Sequence, residues 1–300
     1  MLRLFAFVLF LSTNFAIAQE IAITFDDAPT SEGPLFSGAE RTEKILNHLS
    51  NQKVKEVAFF ILTGNINARN SQRLTRYTKA GHLLANHTHR HKHIHEIGTM
   101  AYIRDVAIAD SILKLKPGFR NWFRYPFLDE GKSVSVRDSL REGIKNLGLI
   151  NGYVTIDNYD WYLNNLVKQA TQSNKKINEN KLGQLYIDHV YNSILFYDKV
   201  ARQNLGRSPK HVLLLHENDL AALYLGDLIM HLQKKGWKII STVDAYMDPI
   251  ATHAPDVLFN GQGRVAAIAR EKGIPARDLV QISEDEEYLD KLVKDSHIFE

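Results

Sequence analysis

Seven short apolar runs, each rich in β-branched or aromatic residues, punctuate this chain, with amphipathic stretches between them. The runs are Ile21–Phe25, Val57–Leu62, His82–Asn86, Trp122–Tyr125, Tyr153–Ile156, Val212–Leu215 and Lys238–Ser241. The intervening stretches predict helices over Ala39–Gln52, Gln72–Ala80, Thr99–Leu115, Val134–Leu147, Lys181–Asn204 and Asp219–Lys235. In the first of these, Ile45, Leu46 and Leu49 have the spacing of one apolar helix face. Strand–helix alternation on this scale implies a mainly parallel sheet with helices outside it. The expected fold is therefore α/β, a distorted (β/α) barrel of seven or eight mainly parallel strands. An open doubly wound sheet is the alternative, but no Gly-rich phosphate loop follows the first run.

Polar residues gather just past the ends of five runs: Asp26-Asp27, His87 to His91, Arg124 to Phe127, Asp157 to Trp161, and His216-Glu217-Asn218. In a parallel barrel all strand C-termini open on one face, and that face holds the site. The runs would thus deliver His, Asp and Arg side chains to a single rim.

The metal chemistry is read first. His87 and His91 are four apart, so one helical turn would put both imidazoles on one side. Asp27 closes the set, and two histidines plus a carboxylate with open positions suit catalytic zinc, with Co2+, Ni2+ or Mn2+ as further candidates. A solvated His-rich loop is the plainer reading of His-x-x-x-His alone. His89, His93 and His95 are assigned to the surface or to support of the ligands, with a loose metal-capturing loop as the other reading. Side chains of neighbours in an extended segment point apart. Asp27 is accordingly assigned to the metal and Asp26 to the general base that takes a proton from water. A turn or helix cap before Ala28-Pro29 explains one Asp better than two.

His216, after a buried-strand pattern, is the candidate general acid, with Asp160 orienting it and holding its proton. Arg124 pairs with Asp26 and sets its basicity, or serves only as a structural salt bridge. Trp161 and Leu214 would wall a pocket for a small group such as a methyl, with core packing the plainer role for Leu214. There is no Gly-x-Ser-x-Gly elbow and no cysteine, which removes serine-elbow and thiol chemistry, thiolate ligands and disulfides.

Taken together, the motifs resemble those of the polysaccharide deacetylases, the NodB-like carbohydrate esterases of family 4. Thr24 to Asp27 matches the first motif (Thr-Phe-Asp-Asp), and His87-Thr88-His89-Arg90-His91 the second. Arg124-Tyr125-Pro126-Phe127 matches the third, Asp160-Trp161 the fourth, and Leu214-Leu215-His216 the fifth. All occur in order between Ile21 and Asp248. The resemblance implies metal-dependent deacetylation of N-acetylated sugars or acetylated xylan. It also implies the first Asp as base, the second Asp and both His as ligands, and the last His as acid. A backbone N–H at the third motif, by position that of Phe127, is implied to bind the oxyanion. The third motif departs from the family pattern at Phe127 and Leu128, where tyrosine and glycine are usual.

The remaining features bound the partners. A formal charge of +3 over 37 basic and 34 acidic side chains has no basic block, so nucleic acid is not expected. Arg3, the apolar run Leu4–Leu11 and Ala16-Ile17-Ala18 read as a signal peptide over residues 1–18, with export to the periplasm or outside the cell. No later stretch is apolar enough for a transmembrane segment. Residues 19–248 are expected to form the deacetylase domain. A polar-to-helical insertion is expected over 162–210 and a helical, acidic extension over 249–300. The expected partner is an acetylated glycan of chitin or peptidoglycan type. An O-acetyl esterase acting on xylan is the second hypothesis, and a non-catalytic envelope protein binding glycan or metal is the third.

Overall fold

The computed structural model describes residues 19–300; the expected signal peptide lies outside the described residues. The first half runs β1 (Glu20–Ala28), α1 (Gly38–Asn51), β2 (Ala58–Ile61), α2 (Ser71–Lys79), β3 (Leu83–Asn86), α3 (Ile94–Ile97), α4 (Thr99–Leu113), β4 (Phe119–Phe123), α5 (Val134–Asn146) and β5 (Ile150–Asn151). The second half runs α6 (Asp160–Gln172), α7 (Glu179–Leu205), β6 (His211–His216), α8 (Asp219–Lys234), β7 (Lys238–Ile239), α9 (Thr242–Ala245), α10 (Arg264–Glu271) and α11 (Glu286–Asp295).

All the strand pairings are parallel, in the order β5-β4-β3-β2-β1-β6, and β7 pairs with the start of β1. The two edges of this curled sheet are brought together by one short stretch. Gly152 N donates to Phe123 O (2.7 Å) on the β4 side, and Thr155 N donates to Val212 O (3.0 Å) on the β6 side. Ile156 then bridges Leu213 in parallel. The sheet is therefore a distorted barrel, and the run at Tyr153–Ile156 is its seam rather than a full strand.

The faces of the strands explain their composition. On β2, Phe59 stacks on Tyr77 of α2 at 3.9 Å between ring centroids, outside the sheet. Ala58 and Phe60 point the other way and pack with Ala85, Trp122 and Tyr246. Strands buried on both faces read as continuous apolar runs, which is how they stood out in the sequence.

Local chemistry sets the helix starts. Ser37 and Glu40 form a reciprocal capping box on α1. Asn178 and Asn218 cap α7 and α8 through their side chains. Residues 162–210 consist of most of α6 and all of α7. The C-terminal stretch packs back: α10 contacts α7, and Phe299 pairs antiparallel with Ile177. Its acidic cluster is not wholly a solvated face, because Glu284 is buried and accepts hydrogen bonds from Tyr197 and Gln262. No helix among the described residues is long and apolar enough to cross a membrane.

Candidate active site

The strand ends converge on a cavity of about 460 Å³. Asp26, Asp27, His87, His91, Phe127, Trp161, Leu214 and His216 all line it. Arg124 lies beneath, buried, and reaches the site through Asp26.

Asp26 and Asp27 reach the site by different means. Asp26 continues the β1 ladder opposite His216. Asp27 sits where the β1–β2 register shifts, with φ of 67°. A bulge re-aims the side chain of the residue that follows the regular strand. Simple strand alternation does not apply here: both carboxylates stand near His87, whose Nε2 lies 3.8 Å from Asp26 Oδ2 and 3.6 Å from Asp27 Oδ1.

His87 and His91 are not on a helical turn either. The segment is a loop in which Thr88 and His91 adopt φ of 69° and 51°. Such values are uncommon for residues other than glycine and need support from their surroundings. Asp105 of α4 supplies it. Its carboxylate accepts from His89 N (3.0 Å), Arg90 N (2.9 Å) and Arg90 Nε (2.6 Å). Thr88 N donates to Asn86 Oδ1, and His91 N to Thr88 Oγ1. His89 turns away and pairs through Nδ1 with Thr63.

These three residues can be tested against a metal. Asp27 Oδ1 is buried and accepts no hydrogen bond, although it lies 3.2 Å from His91 Nε2 and 3.6 Å from His87 Nε2. A tetrahedral ion with bonds of about 2.0–2.2 Å holds its ligand atoms about 3.4 Å apart. His87 Nδ1 bonds to Arg124 O at 3.0 Å, which fixes the tautomer and leaves Nε2 as the lone-pair donor. Burial, reinforced by the adjacent His91, pushes the His87 ring down to about 3, so it stays neutral, as a ligand must. The residues fit a divalent cation. Asp105→Ala is expected to weaken metal affinity by about 10–100-fold, the scale for supporting residues. Competition with a chelator measures it, and unchanged affinity would mean that the loop holds its own shape.

The opposite wall carries a buried imidazole–carboxylate pair. His216 Nδ1 lies 2.7 Å from Asp160 Oδ1, and His216 N donates to Asp160 Oδ2 at 2.9 Å. Asn218, the cap of α8, also donates to that oxygen. Burial works against charging the imidazole, but the Asp160 carboxylate, helped by Asp27 and Asp26, raises it to about 10. Its Nε2 is left toward the cleft.

Beneath Asp26, Arg124 donates from Nη1 to Asp26 Oδ1 (2.5 Å) and Thr24 Oγ1 (2.9 Å), and from Nε to Gly152 O (2.8 Å). Its guanidinium stacks on Phe60 at 3.7 Å. Burial pushes the Asp26 carboxyl above its usual range, with Arg124 and then His216 pulling the other way.

Phe127 and Leu128 take φ of 57° and 47°, tightening the turn after Pro126. Among the described residues the Phe127 N–H has no hydrogen-bond partner, while its ring stands at the cleft rim against His91.

Several residues escaped the sequence reading. Asp105 looks like any polar position on an amphipathic helix. Glu217 is buried against Arg73 and accepts from Thr30 N, pinning the loop after Asp27. Asp219 does the same for Leu35 N and Arg41. Tyr159, Asn164 and Asn165 add a polar wall from α6 and its approach. A row of buried acids directly after a candidate acid, Glu217 and Asp219, was the one available signal.

Residues 16–149 match the family model for polysaccharide deacetylase. That stretch of the chain is similar to the polysaccharide deacetylases. Within this chain the matched residues include Asp26, Asp27, His87, His91 and Arg124. Over 107 residues it is 30% identical to a peptidoglycan-N-acetylglucosamine deacetylase of Bacillus cereus, a stretch covering 36% of this chain and 35% of that relative's length. Its fold is similar to that of a family 4 carbohydrate esterase from Streptomyces lividans solved with acetate (20% identity, 76% of this chain, 95% of that one, TM-score 0.50). It is also similar to the catalytic domain of a peptidoglycan N-acetylglucosamine deacetylase from Eubacterium rectale (18%, 75%, 89%, 0.53). A mutant of a CE4 family pseudoenzyme shares the fold too (15%, 76%, 67%, 0.51). Fold alone therefore does not carry activity, and the side chains must.

Proposed function

We propose that this chain is an exported, metal-dependent deacetylase that releases acetate from N-acetylated glycans of the peptidoglycan or chitin type. The observation that carries this reading is the pairing of two unlike groups across one cleft. A buried carboxylate with raised basicity, Asp26, stands opposite a cationic imidazole, His216, with the Asp27–His87–His91 ligand set beside them. A carboxylate and an imidazole set in such unlike surroundings within one cleft suit a base and an acid.

A divalent ion held by Asp27, His87 and His91, zinc being the best match to the donor set, would supply Lewis acidity that makes water nucleophilic and polarises the acetamide carbonyl. Asp26 accepts the proton from the attacking water, and Arg124 keeps that carboxylate ionised and aimed. The Phe127 N–H donates to the oxygen that becomes negative. His216 gives its Nε2 proton to the departing amine, and Asp160 holds the ring in the tautomer and orientation this needs. Trp161 and Leu214 bound the space for the acetyl methyl. An amide's amine is a poor leaving group, so a strongly basic, pre-protonated imidazole favours N-acetyl over O-acetyl substrates. The signal-peptide reading of residues 1–18 supports export.

The test is acetate release from N-acetylated chitin oligomers, peptidoglycan and O-acetylated xylan, with and without a chelator. Chelator-sensitive release from the first two is expected; release from xylan alone would overturn the substrate class. A second expected outcome concerns pH. The acid must be protonated, so activity is lost as pH rises through the His216 value. Asp160→Asn removes the main charge that raises it and shifts the alkaline limb of kcat/KM to lower pH, with kcat down about 100-fold. An unmoved alkaline limb would remove His216 from the acid role.

A further inference from the structure

The histidines between 87 and 95 do not all serve the cleft. His93 and His95 lie with Asp129 in a second group, whose ligand-capable atoms all fall within 4.8 Å of one another. His93 comes just before α3 and His95 lies within it, whereas Asp129 follows the left-handed Phe127–Leu128 turn. The group is thus assembled by the fold and not by sequence proximity alone.

Asp129 and His93 are each held with a donor atom to spare, and His95 stands beside them. Asp129 Oδ1 accepts from Gly131 N at 2.8 Å, which fixes the carboxylate, and Oδ2 lies 3.8 Å from His93 Nδ1. That separation is too long for a hydrogen bond but ordinary for two ligands of one ion. The His93 ring is stacked on Phe127 at 3.6 Å and 13° between planes, which restrains its rotation. The His95 ring lies 5.0 Å from it, tilted by 33°. Two imidazoles and one carboxylate, part-exposed and with room for water, form a donor set that suits zinc, nickel or copper(II).

We propose that His93, His95 and Asp129 form a second divalent-cation site at the cleft rim, sharing no ligand with Asp27, His87 and His91. Its place gives it a structural consequence. The Phe127 ring is packed between His93 and His91, at 3.6 and 4.5 Å. An ion bridging the start of α3 to Asp129 ties down the C-terminal end of the turn that carries the Phe127 N–H. The second site is a positioning element for the rim, and its existence does not depend on the reaction proposed above.

The experiment is equilibrium dialysis of the full chain against micromolar zinc, with metal content measured per chain and circular dichroism recorded for every variant. The wild type is expected to hold two ions. His93→Ala/His95→Ala is expected to hold one, and His87→Ala/His91→Ala also one. Asp129→Asn, which keeps the shape of the side chain, covers the case in which the double variant misfolds; it too should lose one ion. Cobalt(II) substitution gives a second readout: a set of visible d–d bands that persists in His87→Ala/His91→Ala and disappears in Asp129→Asn. A His87→Ala/His91→Ala protein that holds no ion overturns the second site, whether the wild type holds one ion or two. Loss of the Asp27–His87–His91 ion alone would instead leave this site standing while removing the proposed reaction.

Discussion

Asp26→Asn is expected to lower kcat by about 10²–10⁴-fold, the usual contribution of a positioned general base, while the metal content stays unchanged. Asparagine is the informative replacement. Its amide oxygen can still accept from Arg124 Nη1, so the guanidinium, which is only 1% exposed, keeps a partner. Alanine would leave that charge facing a void, and breaking a buried pair costs about 3–5 kcal/mol. The remaining Arg124 contacts, to Thr24, Gly152 and Tyr246, should keep the asparagine variant folded. Steady-state acetate release and a thermal melt separate lost chemistry from lost stability. A folded variant turning over at the wild-type rate would show that the proton leaves by another route.

His87→Ala should act on a different quantity. The ring is buried, its Nδ1 is tied to the Arg124 carbonyl, and its Nε2 faces the orphaned Asp27 oxygen. Removing it leaves a two-residue site, and zinc affinity there should fall by more than the about 100-fold that marks loss of a mere supporting residue. Activity should disappear with it. Titration against a competing chelator, read together with acetate release, checks both. Retention of the same tightly held ion would exclude His87 as a ligand. The two variants are complementary, since the first keeps the ion and loses the reaction whereas the second loses both.

The sequence made the strand–helix alternation plain because strands of a parallel barrel are covered on both faces. Their runs are short, apolar and bounded, and the boundaries of β1, β3 and β6 fell within three residues of the runs. The gathering of polar residues at run ends was legible for the same reason, as topology alone puts those ends on one rim. Local backbone was not legible. A spacing of four between His87 and His91 suggests a helical turn, yet a loop with two left-handed residues does the work. Positive φ at threonine and histidine leaves no mark in composition, because it is imposed by Asp105, a residue 14 positions beyond His91 in sequence. The same holds at Asp27, where a bulge and not strand alternation aims the side chain. Glu284 read only as part of an acidic extension because its partners, Tyr197 and Gln262, arrive from other elements. Long-range pairing of single polar residues is what a lone sequence hides best.

The seam between β4 and β6 has a consequence of its own. The candidate metal ligands lie on the arc from β1 to just past β3, whereas His216 ends β6 and Asp160 follows the seam. Gly152 to Ile156 spans the gap on that side by a few main-chain bonds, and the stretch Asn260 to Arg264 backs it through bonds to Leu128 and Val154. Asp26 and His216 face each other across the direct β1–β6 pairing, so lengthening or shortening this splice by one residue would leave them in place and instead move the start of α6, with Trp161, relative to the Phe127 turn. The seam is thus a place where the width of the mouth can change without disturbing the paired ends of β1 and β6.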